Sequence, residues 1–198
     1  MKATIFDYGA GNLHSLARAL VVAGADVRVE PDPARALETD VLVLPGVGAF
    51  GPAAERLAPG RQRMRAAIEN GLPVIGICLG MHLLLDASDE GPGEGLGLIP
   101  GRVTRLMATC IPQIGWNHID DVSDPLFVQS SLAIAYYANG FACRPDDESV
   151  VTAWSSHERD RFPAAVRRGT AVGVQFHPEK SSGRGVRFLS AFLEGVAR

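Results

Sequence analysis

Apolar and polar positions follow two rhythms along this chain. Short, almost wholly apolar runs ended by Gly or Pro predict buried strands. Runs with apolar residues every three or four positions predict helices. The first strand is predicted over 2–8. Residues 12–23 follow, with Leu13, Leu16, Ala17 and Leu20 at helical spacing and Gly24 as the stop. Strands are predicted at 26–30 and 40–44, the latter ending at Pro45-Gly46. A helix within 62–69, a strand at 73–77 and a helix at 79–87 come next. Strands alternating with helices predict a parallel sheet with right-handed crossovers.

The second half has a different texture. Residues 102–106, 132–137, 149–155, 164–167 and 171–175 are predicted strands joined by turns rather than helices, and a last helix is predicted at 185–196. The expected fold is an α/β core carrying antiparallel strands in its C-terminal half. The 198 residues suit a single domain, 1–198, with no Ser/Gly/Pro-rich linker, internal repeat or low-complexity segment.

Composition narrows the setting. Apolar residues make up 46% and charged residues 21%, enough for a full core and unlike a disordered chain. The formal net charge of −3, with no long basic run, argues against a nucleic-acid partner. No apolar stretch approaches the roughly 20 residues that span a bilayer, and Asp7 interrupts the N-terminal apolar run, unlike a signal peptide. Cys78, Cys110 and Cys143 form no C-x-x-C pair and no close Cys/His set. Neither a disulfide framework nor a metal site is expected, and a reducing, cytoplasmic setting is.

Gly76-Ile77-Cys78-Leu79-Gly80 is the segment richest in chemistry. It is a cysteine version of the G-x-S-x-G nucleophile elbow, entered by an apolar strand and left by a helix. A nucleophile at that junction needs a tight turn, and the flanking glycines leave room for the turn and for substrate. The positive end of the following helix favours a thiolate, and the Leu79 N–H points where an oxyanion would form. A small buried hydrophobe is the alternative for any free cysteine; the elbow favours a nucleophile at Cys78, whereas Cys110 and Cys143 lack such a context.

A cysteine nucleophile needs a base and an orienting group. Of five histidines, His177 stands out, in Val174-Gln175-Phe176-His177-Pro178-Glu179 at the end of an apolar strand. Positions i and i+2 of an extended segment face the same way, so Glu179 can bond the imidazole and fix its tautomer. Pro178 restrains the backbone between them. Taken alone, this segment would be a surface turn with a charged pair; the elbow tips the balance. His14 and His82 fall just after candidate site loops, while His118 and His157 fit ordinary surface or structural roles.

Gly76-Ile77-Cys78-Leu79-Gly80-Met81 together with Gly173-Val174-Gln175-Phe176-His177-Pro178-Glu179, about a hundred residues apart, resembles the class I (triad) glutamine amidotransferases. Further stretches resemble one subfamily, the glutaminase subunits of imidazole glycerol phosphate synthase. They are Asp7-Tyr8-Gly9-Ala10-Gly11-Asn12-Leu13-His14-Ser15, Leu44-Pro45-Gly46-Val47-Gly48-Ala49-Phe50, Gly95-Leu96-Gly97-Leu98-Ile99-Pro100-Gly101, Gly115-Trp116-Asn117 and Lys180-Ser181. The likeness runs over essentially the whole chain. It implies the family's three-layer α/β fold, a central, mostly parallel sheet with helices on both faces and added antiparallel strands in the C-terminal half.

The resemblance also implies a chemistry. Cys78 attacks the side-chain amide of L-glutamine and forms a glutamyl thioester, His177 moves the proton, and Glu179 holds His177. Leu79 and the Val47 and Gly48 peptides form the oxyanion hole, in a loop whose glycines permit a peptide flip. Gly46, His82, Gly140 and Phe141 contact substrate. No cofactor and no metal are implied. Ammonia passes to a (β/α)8-barrel cyclase subunit, which forms imidazole glycerol phosphate and an aminoimidazole carboxamide ribotide in L-histidine biosynthesis. The implied docking face includes Asn12, Pro112, Trp116, Asn117 and Lys180, with Trp116 as an aromatic anchor; without the resemblance Trp116 fits a core tryptophan.

Three stretches depart from the family pattern. Met81-His82 stands where Met-Gln is usual, and one imidazole cannot reproduce both ends of an amide. Tyr136-Tyr137-Ala138-Asn139-Gly140-Phe141 stands where V-H-S-Y is usual. The stretch before Gly115 is shortened and reads P-Q-I-G-W where P-H-M-G-W is usual. Three rival readings compete. Gly9-Ala10-Gly11 with Glu30 about 20 residues on hints at a dinucleotide site, but the third glycine is missing and the cysteine and histidine motifs stay unexplained. A free-standing cysteine hydrolase would act without a partner or a preference for glutamine. A silent binding subunit would have no use for an intact triad.

Overall fold

The computed structural model describes residues 1–9 and 11–196. A seven-stranded sheet forms its centre. In chain order its strands are β1 (Lys2–Phe6), β2 (Asp26–Glu30), β3 (Val41–Leu44), β4 (Val74–Ile77), β10 (Val151–His157), β11 (Asp160–Arg168) and β12 (Ala171–Val174). They lie in the order β10-β11-β12-β4-β3-β1-β2. β2, β1, β3, β4 and β12 run parallel, and β11 and β10 continue the sheet antiparallel. This is the expected core with its antiparallel C-terminal extension. β3, β4 and β12 are buried throughout, as strands covered on both faces must be.

Alternate side chains of these strands enter two separate cores. Ile5, Val43, Ile75, Ile77 and Val174 pack with Leu16 and Leu20 of α1 (His14–Val22) and with Phe188 and Phe192 of α6 (Ser182–Val196). Phe6, Leu42, Leu44 and Val74 pack on the other face with Phe50 and Leu57 of α2 (Phe50–Leu57) and Met64 and Ile68 of α3 (Arg61–Glu69). The result is three layers, helices over both faces of the sheet. No helix among the described residues is long and apolar enough to cross a membrane.

Several elements differ from the sequence expectation. α2 was not expected, and it contains Gly51 and Pro52. Both sit in its first turn, where proline is tolerated, and Phe50, Ala53, Ala54 and Leu57 still form one buried stripe. The helix expected over 79–87 is only α4 (Leu79–His82). Segment 95–99 ends it: the N–H groups of Leu96, Ile99 and Gly97 bond the carbonyls of Leu83, Leu84 and Leu85, and β5 (Ala87–Ser88) follows. β6 (Gly101–Arg105) pairs with β5 and with the unforeseen β9 (Phe141–Pro145). β7 (Gln113–His118), also unforeseen, pairs antiparallel with β8 (Ile134–Asn139). Between them lies a short helix, α5 (Pro125–Ser130), capped by the Asp124 carboxylate on the Leu126 N–H.

Candidate active site

Three adjacent strands end at one place. In the register of β3, β4 and β12, Leu44 lies opposite Gly76, and Gly173 and Val174 lie opposite Gly76 and Ile77. The segments that follow are therefore brought together: the Pro45-Gly46-Val47-Gly48 loop, Cys78, and Gln175 to Glu179. The C-terminal edge of a parallel sheet gathers sites for this reason. Pairing extends one step further, with the Cys78 N–H on the Val174 carbonyl at 2.7 Å.

Cys78 occupies the elbow. Its φ of 47° and ψ of −105° lie in the left-handed half of backbone space, where a side chain is strained. The glycines on either side make this turn possible. A Cβ on Gly76 would meet the Gly80 carbonyl oxygen at 2.5 Å, and one on Gly80 would run into the Leu44 carbonyl of β3. Their space is taken by backbone, so they serve the turn and not, as the sequence suggested, the substrate as well.

The side chains converge from both strands. His177 Nδ1 lies 2.8 Å from Glu179 Oε1, with the two side chains only 4% and 7% exposed. Pro178 starts a single 3-10 turn, Pro178–Lys180, and that turn swings Glu179 back under the ring. Burial acts to lower the His177 pKa. Hydrogen bonds and charge from Cys78 and Glu179 outweigh it and hold the imidazole at about 9. A proton is therefore held on His177 at neutral pH, beside a sulfur that can carry the compensating negative charge. Backbone bonds fix the histidine further. Its N–H donates to the Tyr136 carbonyl at 2.9 Å, and its carbonyl accepts from Ser181 Oγ, which itself accepts from the Tyr136 N–H.

Gly46 closes the third side. A Cβ there would lie 2.9 Å from His177 Cε1 and 3.0 Å from Cys78 Cβ. Gly48 has φ 98°, and Val47 packs against Gly11 at a distance that leaves no room for a Cβ on it. Leu79 opens α4, so its N–H has no intrahelical acceptor. The loop ends at Phe50, whose N–H bonds the half-buried Glu90 carboxylate at 3.2 Å.

The other expected contacts fall in different surroundings. His82 is 4% exposed, and its Nε2 lies 3.0 Å from Gln175 Oε1. The Gly140 carbonyl accepts from the Leu106 N–H, and the Phe141 carbonyl from the Asn139 amide. It is the Tyr136 backbone of β8 that touches the histidine. On the surface Trp116 is 56% exposed and meets Tyr136 edge-on at 6.2 Å, while Lys180 Nζ sits 5.8 Å over the same ring. Trp116 thus has the exposure of an anchor rather than of a core residue. Asn12 is exposed and bonds the His14 N–H, Pro112 precedes β7, and Asn117 is held by the Ser156 carbonyl. Glu30 is 6% exposed and engaged by the Asp32 N–H and by Arg35, which leaves it poorly placed for a ribose.

Sequence reasoning missed Gln175. It is fully buried, and its carboxamide nitrogen lies 3.6 Å from Cys78 Sγ. Strand alternation carried on from β12 would put Gln175 on the side of His177, so the signal was present.

The chain belongs to the class-I glutamine amidotransferase family, whose model matches residues 4–195. Within it the chain is similar over its full length to proteins named imidazole glycerol phosphate synthase subunit HisH. That of Symbiobacterium thermophilum is 45% identical over 195 residues, covering 96% of this chain and 92% of the relative. That of Halobacterium salinarum is 42% identical over 203 residues, covering 98% and 93%. Among solved structures, a glutamine amidotransferase superposes with a TM-score of 0.78 at 18% identity over 100% of both chains. PurLQS from Thermotoga maritima gives 0.72 at 19% identity over 98% of both. These superpositions bear out the fold.

Proposed function

We propose that the chain is the glutaminase subunit of an imidazole glycerol phosphate synthase, a single domain over 1–198 that hydrolyses L-glutamine through Cys78, His177 and Glu179. The observation that carries this reading is the meeting of a strained cysteine elbow with a buried His–Glu pair at one sheet edge. Full-length likeness to the HisH subunits supports the pathway, L-histidine biosynthesis.

The steps follow from the geometry of the triad. The Cys78 thiolate attacks the carboxamide carbon of glutamine. The oxyanion that forms is met by the Leu79 N–H and by a peptide N–H of the Val47-Gly48 stretch once that loop is turned inward. His177 gives its proton to the amide nitrogen, the C–N bond breaks, and ammonia leaves a glutamyl thioester. Water then attacks the thioester while His177 takes its proton. Glutamate departs and the triad is restored. Glu179 keeps the ring in the tautomer these transfers need. Gly46, His82, Gly140 and Phe141 are assigned to the glutamine pocket.

Ammonia passes to a (β/α)8-barrel cyclase docked on the face that includes Asn12, Pro112, Trp116, Asn117 and Lys180. The exposed Trp116–Tyr136 pair and the Lys180 cation support that assignment. The subunit is assigned to the cytoplasm. Glutamate formation is measured with and without the cyclase and its ligand. Turnover is expected to be low alone, to rise sharply in the complex, and to vanish in Cys78→Ala. Full hydrolysis by Cys78→Ala would refute the mechanism; full activity without a partner would refute the coupling.

A further inference from the structure

Behind the nucleophile lies a buried polar pair that none of the steps above uses. Gln175 has no exposed surface and His82 only 4%. Their side chains form a short chain ending on the sulfur: His82 Nε2 and Gln175 Oε1 are 3.0 Å apart, and Gln175 Nε2 is 3.6 Å from Cys78 Sγ. His177 also stands at the nucleophile, its ring and Cys78 Cβ both beside Gly46, and Cys78 is among the groups that hold its pKa up. We propose that Gln175 is a positioning residue for the nucleophile, its carboxamide N–H holding the Cys78 sulfur against His177 and steadying the thiolate, with His82 fixing which end of the carboxamide faces the sulfur. The inference rests on Cys78 being the nucleophile.

The argument is one of donors and acceptors. A thiolate accepts hydrogen bonds and repels oxygen lone pairs, so the nitrogen end of Gln175 must face Cys78. The oxygen end then needs a donor, and His82 supplies it as the tautomer protonated at Nε2. Burial drives the His82 pKa down to about 4, against a smaller opposing effect of Gln175, so the ring is neutral at working pH. Its Nδ1 is buried without a partner. In this tautomer Nδ1 is an acceptor, whereas the opposite tautomer would strand an N–H there and turn the carboxamide oxygen onto the sulfur. Both costs fall on the wrong arrangement, so the pair selects one orientation. His82, expected as a substrate contact, thus has one ring nitrogen committed to supporting the nucleophile.

The test reads the thiolate directly. Carboxamidomethylation of Cys78 by iodoacetamide is followed against pH in the full chain carrying Cys110→Ser, since Cys110 is exposed. Cys143 is buried and burial raises its thiol pKa strongly, so it stays silent. His177 with Glu179, His82 and Cys143 are the ionisable groups around the sulfur that bear on the profile. Gln175→Met keeps the length of the side chain and removes the donor. It is expected to move the alkylation midpoint upward and to lower kcat for glutamine about tenfold or more, the range for a lost hydrogen bond to a charged group, with little change in KM. His82→Met is expected to shift the profile in the same direction, and His82→Gln, which again offers an N–H to Gln175, to restore it. The double change Gln175→Met with His82→Met is expected to equal Gln175→Met alone. An unmoved midpoint in a folded Gln175→Met, or in His82→Met if the first variant does not fold, overturns the proposal. Hydrolysis by Cys78→Ala would instead overturn the glutaminase mechanism, so the two failures are distinct.

Discussion

Replacing Glu179 by Gln perturbs the triad at a group that never touches substrate. The substitution keeps the side chain's shape and removes a negative charge 2.8 Å from His177 Nδ1. Because the two side chains are 4% and 7% exposed, water does little to replace that charge. His177 stands at about 9 against an ordinary 6.5, since burial pulls it down and Cys78 and Glu179 more than compensate. A rise of that size is worth roughly 3 kcal/mol at about 1.4 kcal/mol per pH unit. Two partners share it, so losing one charge costs on the order of 1–2 kcal/mol. That is about a five- to thirtyfold loss of turnover, and more if the new carboxamide offers its NH2 to Nδ1 and holds the wrong tautomer. Ammonia release by the complex is measured from about pH 6 to about pH 10, and the limb set by the imidazolium is expected to move to lower pH. The raised His177 pKa also stabilises the fold, fully below about pH 6.5 and no longer once pH climbs past about 9. The stability gap between wild type and variant in denaturant titrations is therefore expected to be widest near the acidic end and to close at the alkaline end. Turnover within about twofold of wild type and an unmoved profile would show that Glu179 is a bystander and that the electrostatic argument is wrong.

Two further outcomes follow from the geometry. Gly80→Ala drives a Cβ into the Leu44 carbonyl of β3, a backbone atom that cannot step aside; a loss of about 2–4 kcal/mol in unfolding free energy is expected, and a variant as stable as wild type would contradict the packing at the elbow. Trp116→Ala removes an exposed ring, so the thermal midpoint of the chain is expected to stay put while calorimetric affinity for the cyclase falls by about 2 kcal/mol or more; unchanged affinity would place the docking face elsewhere.

Local pattern carried the chemistry well where it depends on neighbours in the chain. The strand ending at Ile77 and the glycines around Cys78 are short-range features that appear in the fold as their pattern implies; His177 and Glu179 also meet, though through the 3-10 turn that Pro178 starts and not through strand alternation. Pattern misled where a distant segment supplied the bonds. Residues 83–87 look helical, yet the carbonyls of 83–86 are claimed by 95–99 and Ala87 joins β5, so α4 stops after one turn. β9 and β7 are short and broken by Arg and Pro in one and by Gln, Gly, Asn and His in the other, so neither shows a clean apolar run. They became strands only through pairing with β6 and β8.

The sequence by itself determined that a cysteine must sit at a strained turn and that a histidine and a glutamate must face the same way. Both facts are set within a few residues, the first by steric allowance and the second by the tight turn that Pro178 begins. Only the tertiary structure decided that these two features, about a hundred residues apart, share one edge, because β12 chose β4 as its parallel partner in the register that puts Gly173 beside Gly76. It also decided the fate of His82 and Gln175. Whether a polar side chain meets water, substrate or another buried group depends on what packs over it, and here one ring nitrogen of His82 met the Gln175 carboxamide beside the sulfur.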